Sequence, residues 1–177
     1  MKRAPVIRAA ALICGIAGAT GLSATAASAQ QANCIDLLAS TQNYSRLVNA
    51  TVMSHMENDV RVMNNVTIFA PTNEAISRVD QNLSARIFPR DETGARNADP
   101  VLASAAVRAH IVQGRIPASA LVDGMRLVTL AGTPITIHKQ GNVTTVSAAE
   151  GVNANITQPD MACANGVVHG ISSVLIR

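Results

Sequence analysis

The decapeptide TIFAPTNEAI, Thr67 to Ile76, constrains this chain more than any other stretch, because it prescribes a buried strand that runs straight into a capped helix. Thr67, Ile68, Phe69 and Ala70 form a short β-prone apolar run, and Pro71 ends ladder pairing because it has no amide hydrogen to donate. Thr72 is a favourable N-cap. Glu74 falls in the first helical turn, where its charge meets the positive end of the helix dipole. Strand, break, cap and helix therefore agree along one continuous segment.

The N-terminus follows the plan of a secretory signal: positive charge at Lys2, Arg3 and Arg8, an apolar stretch from Ala9 to Ala19, then small residues ending in Ala27, Ser28 and Ala29. The expected cut follows Ala29, dividing the chain into a signal peptide over 1–29 and a single domain over 30–177. Gly15, Gly18 and Gly21 interrupt the apolar stretch, which is short of the ~20 residues a bilayer span requires, so no membrane span is expected after cleavage. Cys14 follows Ala11, Leu12 and Ile13 and lacks the setting of a lipoprotein cysteine.

Removing 29 of the 177 residues leaves 148, enough for one domain that buries roughly 68–70% of its unfolded surface. Three of the 14 Lys and Arg residues lie in the leader, so 11 remain against 11 Asp and Glu. A neutral mature chain argues against nucleic-acid binding, which needs a basic face, with a local basic patch as the alternative. Its aromatic residues, Tyr44, Phe69 and Phe88, are scattered and build no stacking platform.

Helical spacing of Tyr44, Leu47, Val48, Val52 and Met56 predicts one amphipathic helix over Asn43 to Met56. The polar, charged segment Ser84 to Asn97 reads as a surface loop. Asp99 and Pro100 then supply an N-cap and a proline at the first helical position, with Leu102, Ala105, Ala106 and Ala109 on one face of a helix running into His110. Short strands follow over Met125 to Leu130, Pro134 to His138 and Val143 to Val146, separated by Ala131–Gly132 and Gln140–Asn142. The last strand is expected over Val167 to Ile176, apolar on both faces and hence central. The implied class is α+β, a β wedge or sandwich with several helices packed against it.

Three segments carry a resemblance: TIFAPTNEAI; AHIVQGRI, Ala109 to Ile116, with the LAG turn at Leu130 to Gly132; and NGVVHGISSVLI, Asn165 to Ile176. In this order and spacing they resemble the fasciclin (FAS1) domain family over nearly the whole mature chain. The resemblance implies an exported, non-enzymatic module that mediates adhesion or interaction with an extracellular or periplasmic protein or glycan. Some members bind apolar small molecules, so the alternative it implies is a carrier of a carotenoid or lipid. Two positions depart from the family pattern. Ala109 replaces the tyrosine that precedes the histidine at His110 in many adhesive members, and Ser172 stands where an acidic residue often follows the last motif's histidine.

Cys34 and Cys163 are the two cysteines of the mature chain, and export makes a disulfide between them the expected state, with two separately buried thiols as the alternative. His55, His110, His138 and His169 match no metal-ligand spacing, and no metal or cofactor is expected. His55, late in its helix, suits the helix dipole, whereas His110 and His169 suit hydrogen bonds to backbone near strand ends. His110, Asn165 and His169 are kept as candidate binding residues. No nucleophile elbow is present, and GIAGATG at Gly15 to Gly21 lies in the leader and follows no strand, so catalysis and phosphate binding lack a motif.

Overall fold

The computed structural model describes residues 31–80, 82, 87, 99–148 and 151–176. The expected signal peptide with its expected cleavage point, and all of the polar Ser84 to Asn97 segment except Ile87, lie outside the described residues. Ile87 is fully buried against Ala103 and Ala106.

Helices lead the chain. α1 (Cys34–Ser40) is capped by Asn33, whose side chain accepts from the Ile35 and Asp36 amides. A 3-10 turn at Gln42–Tyr44 leads into α2 (Ser45–Met53), and α3 (Glu57–Val62) follows. The expected single helix to Met56 thus ends at Met53. His55 takes φ 57°, a left-handed conformation that breaks the helix, and Met56 is the N-cap of α3. His55 therefore lies beyond the helix end, and Val52, assigned to the buried stripe, is 47% exposed.

β1 (Val66–Pro71) is buried along its whole length, and α4 (Asn73–Ser77) starts immediately after Thr72. The Thr72 hydroxyl accepts from the Ala75 amide at 3.1 Å, the cap expected from sequence. Pro71 remains inside the strand at its last position. α5 (Pro100–Arg108) begins as expected, with the Asp99 carboxylate accepting from the Val101 and Leu102 amides. Its buried residues are Ala103, Ala106 and Val107, with Ala105 exposed, so the inward face is rotated from the one that alanine spacing suggested.

The remaining strands are β2 (Ile111–Gln113), β3 (Arg126–Val128), β4 (Pro134–Gln140), β5 (Val143–Ser147), β6 (Asn153–Cys163) and β7 (Gly166–Ile171). Their order in the sheet is β2-β1-β7-β6-β5-β4-β3. A Val112–Thr129 bridge and a Leu130 amide to Ile111 carbonyl bond at 2.8 Å draw β2 and β3 together, so the sheet nearly closes. β7 is central, parallel to β1 and antiparallel to β6, as its two apolar faces imply. It stops at Ile171; the Ser172 amide still donates to the Asn155 carbonyl at 2.9 Å, and Ser173 to Ile176 lie outside the strand.

β1 and β7 form a wall between two cores. Val66, Ile68, Ala70 and Val168 meet Ile35, Leu38, Leu47, Val60 and Val107 from the helices. Phe69 and Ile171 instead meet Leu121, Ile135, Ile137, Val146 and Ala154 inside the meander. Alternation along a strand sends successive side chains to opposite faces, which is why every residue of this wall is buried. The Cys34–Cys163 disulfide joins α1 to the end of β6, closing a separation of 129 residues. Among the described residues, no helix is long and apolar enough to cross a membrane.

Candidate functional site

Of the three candidate binding residues, His110 lies deepest in the helical half. It follows α5 directly and is 3% exposed. The Leu175 amide donates to His110 Nε2 at 2.9 Å, so Nε2 is the bare nitrogen. Nδ1 then carries the proton and donates to the Ala106 carbonyl at 2.7 Å. The imidazole thereby pins the chain after β7 to the end of α5. Burial lowers its pKa to about 4, opposed only by the bond to Ala106, and keeps it neutral at neutral pH.

His169, on β7, faces the other core and has the opposite tautomer. The Asp160 amide donates to Nδ1 at 3.2 Å, and Nε2 donates to the Ile116 carbonyl at 2.9 Å. Its ring lies 5.7 Å from that of Phe69. Thr67 completes the same clasp, because its hydroxyl donates to the Gly114 carbonyl at 2.6 Å and accepts from the Ile116 amide at 2.9 Å. The Gly114 to Ile116 segment, where Gly114 takes φ 108°, is thus fastened to β1 and β7 by side chains of two motifs.

Asn165, in the β6–β7 turn, fastens the opposite end. Its Oδ1 accepts from the Cys34 amide at 2.8 Å, while Nδ2 donates to the Val60 carbonyl at 2.8 Å and the Met63 carbonyl at 3.1 Å. α1, α3 and the turn beside the disulfide are held by one amide group. The three candidates therefore occupy separate places, and each directs its polar atoms at the chain's own backbone.

Three glycine and asparagine roles were not read from sequence. Asn73, next to the Thr72 cap, reaches across to a different helix: its Oδ1 accepts from the Arg46 amide at 3.0 Å and its Nδ2 donates to the Gln42 carbonyl at 2.9 Å. It caps the start of α2. Gly166 and Gly170 lie where a Cβ would overlap the Val66 carbonyl oxygen and the Tyr44 hydroxyl, respectively. Hence both glycines of the last motif meet a steric limit of close packing.

The description "Fasciclin domain" matches residues 41–177. The chain belongs to the fasciclin (FAS1) domain family. Human periostin is 32% identical over 110 residues, 62% of this chain and 12% of periostin. Pig transforming growth factor-beta-induced protein ig-h3 is 29% identical over 110 residues, 62% of this chain and 14% of that protein. This FAS1 chain thus spans a small fraction of both. An uncharacterised protein of Synechocystis is 25% identical over 144 residues, 81% of this chain and 97% of its own length. A solved FAS1 domain pair from the insect cell adhesion molecule fasciclin I has a TM-score of 0.56 at 23% identity, covering 75% of this chain and 45% of that one. That likeness is one of fold.

Among the described residues, the internal space beside His110 is small. Two cavities touching His110, one bounded by Leu38, Thr51 and Ile68 and the other by Ala50, Pro71 and Val174, measure ≈ 10 Å³ each. Each is at the lower limit for a single water and far below the volume of a carotenoid or lipid. A wider open groove of ≈ 430 Å³ runs between the end of α4 and the start of β6, with Arg78, Asp80, Asn153 and Ser173 beside Val79, Val152 and Val174. Among the described residues, no group of three or more His, Cys, Asp or Glu is placed to hold a metal ion.

Proposed function

We propose that this FAS1 domain is an exported module that binds a protein or glycan outside the cytoplasm, at the cell surface or in the periplasm, and acts without catalysis. The observation that carries this reading is the inward use of the family motifs. Thr67, Asn73, His110, Asn165 and His169 all bond to the chain's own backbone, so the motifs build the fold and leave partner contact to outward residues. The buried Cys34–Cys163 disulfide supports an oxidising compartment. The fold neighbour named as a cell adhesion molecule supports an adhesive role.

The test compares cells that express the chain with cells that lack it. Fractionation and intact-mass measurement should find the protein outside the cytoplasm and starting after Ala29, and deletion should weaken attachment to neighbouring cells or matrix. A cytosolic protein, or attachment indifferent to deletion together with stoichiometric recovery of a pigment or lipid from native protein, would overturn the proposal.

A further inference from the structure

The chain beyond β7 touches all three apolar clusters, yet it lies outside every strand. Val174 packs into the helical core, Leu175 into the meander core, and Ile176 against the cluster of Ile87, Ala103 and Ala106. Ser172 is still tied to β6, since its amide donates to the Asn155 carbonyl and its hydroxyl accepts from the Asn155 amide. Past it, among the described residues, the segment from Ser173 to Ile176 has one polar anchor. That anchor is the bond from the Leu175 amide to His110 Nε2 at 2.9 Å.

The anchor works in one protonation state only. Nδ1 is committed to the Ala106 carbonyl, so a second proton enters at Nε2, where its N–H would face the Leu175 N–H. Nothing near the ring offsets that repulsion. The residues bounding the cavities beside His110 come from α1, α2, α3, α5, β1, β2 and the segment itself, and none of them titrates. Thr51 is their one polar member, and its hydroxyl donates to the Leu47 carbonyl. The charged side chains of the helices lie elsewhere: Asp36, Glu57 and Arg61 pair with one another, Asp59 and Arg108 are exposed, and Arg46 is only partly covered.

We propose that Ser173 to Ile176 act as an acid-released strap, latched by the neutral His110 ring and freed when that ring is protonated, while the seven-stranded sheet stays folded. Release changes what the domain presents. Val174 and Ile176 border both the closed apolar cavity beside Leu47, Pro71 and Ala106 and the open groove beside Arg78 and Asn153. Lifting them opens the apolar floor of the helical core to that groove. The device is independent of the partner that the domain binds.

Residue-resolved hydrogen exchange of the mature chain, read as protection factors at pH 7 and pH 4, tests the strap without any substitution. The Leu175 amide should be less protected than the amides of β7 at both pH values. Its protection should fall about a hundredfold at pH 4, because the released ring takes up a proton near pH 6.5 and the latched ring only near 4. His110→Gln should abolish that fall, and the comparison within the native chain stands even where this variant does not fold. Leu175 protection equal to that of β7 at both pH values would show that the segment opens only when the whole domain unfolds. Protection of Leu175 unchanged between pH 7 and pH 4, or a hundredfold fall retained in folded His110→Gln, would show that the ring is not the latch. Each of these results overturns the proposal.

Discussion

The β1–β7 wall and the outer face of the meander use the same side chains to opposite ends. Along the wall, Thr67, His169 and nearby Asn165 are directed at backbone groups of distant segments, and the resulting bonds hold loops and helices in place. On the meander, Thr145 and Asn155 sit in comparable strands yet their side chains bond to each other, and Asn153 bonds to Ser147 and to the nearby Gly151 carbonyl, so none of them reaches a distant segment. Residue type alone does not separate the two roles. What separates them is whether a second layer packs over the strand, because a covered polar group must find an internal partner or lose about 1–3 kcal/mol.

The largest break in this contrast should come from the wall's glycines. Gly166→Ala should cost more than about 3 kcal/mol and prevent accumulation of folded protein, since its Cβ meets the Val66 carbonyl of the paired strand, which has nowhere to move. Gly170→Ala should be milder and partly rescued by Tyr44→Phe, because the obstructing atom there is the Tyr44 hydroxyl. Denaturant midpoints of the soluble variants measure the difference.

Acid should act on the wall next. His110 has its folded pKa lowered to about 4, so as pH falls the unfolded chain takes up the proton first. The neutral clasp therefore contributes fully above about pH 6.5, and about 3 kcal/mol is lost progressively as pH falls from there to 4. Unfolding free energies of the native chain and of His110→Gln, measured over that interval, should converge as pH falls. Parallel curves would show that His110 does not carry the dependence.

Helix capping offers a smaller and more local comparison. Thr72→Ala should cost about 1 kcal/mol by removing the bond to the Ala75 amide. Val143→Thr at the exposed end of the meander should change stability by less than about 0.5 kcal/mol. Equal losses at the two sites, read from urea midpoints, would erase the distinction between covered and open strands.

Local chemistry made the wall legible. In TIFAPTNEAI the apolar run, the proline and the threonine cap each act over a few residues, and the structure follows them closely. Asp99 and Pro100 likewise fixed the start of α5. Its inward face was misread because alanine is small and apolar all round the helix, so spacing does not tell Ala105 from Ala103. β6 was not anticipated at all. Register shifts at Gln158, with Pro159 and the positive φ of Asp160, disrupt the alternation by which a strand is recognised.

The candidate site was legible in part, and for a physical reason. Backbone bonding of His110 and His169 was foreseen, but their partners Leu175 and Ile116 are 65 and 53 residues away in sequence, and only the fold brings them close. Asn73 begins α4, yet its side chain caps α2, 27 residues earlier, a pairing that nothing local to either segment signals. The alignment of Arg126, Thr136, Ser147 and Asn153 depends on register across four strands, which no single strand encodes.

The most direct test of the contrast between wall and meander is one substitution made twice. Asn165→Ala removes one accepted and two donated bonds to covered backbone, whereas Asn155→Ala removes one exposed cross-strand bond. Urea denaturation of both variants at neutral pH should show Asn165→Ala less stable by about 2 kcal/mol and Asn155→Ala within about 0.5 kcal/mol of the native chain. Equal destabilisation, or a larger loss at Asn155, would contradict the assignment of the family motifs to the fold.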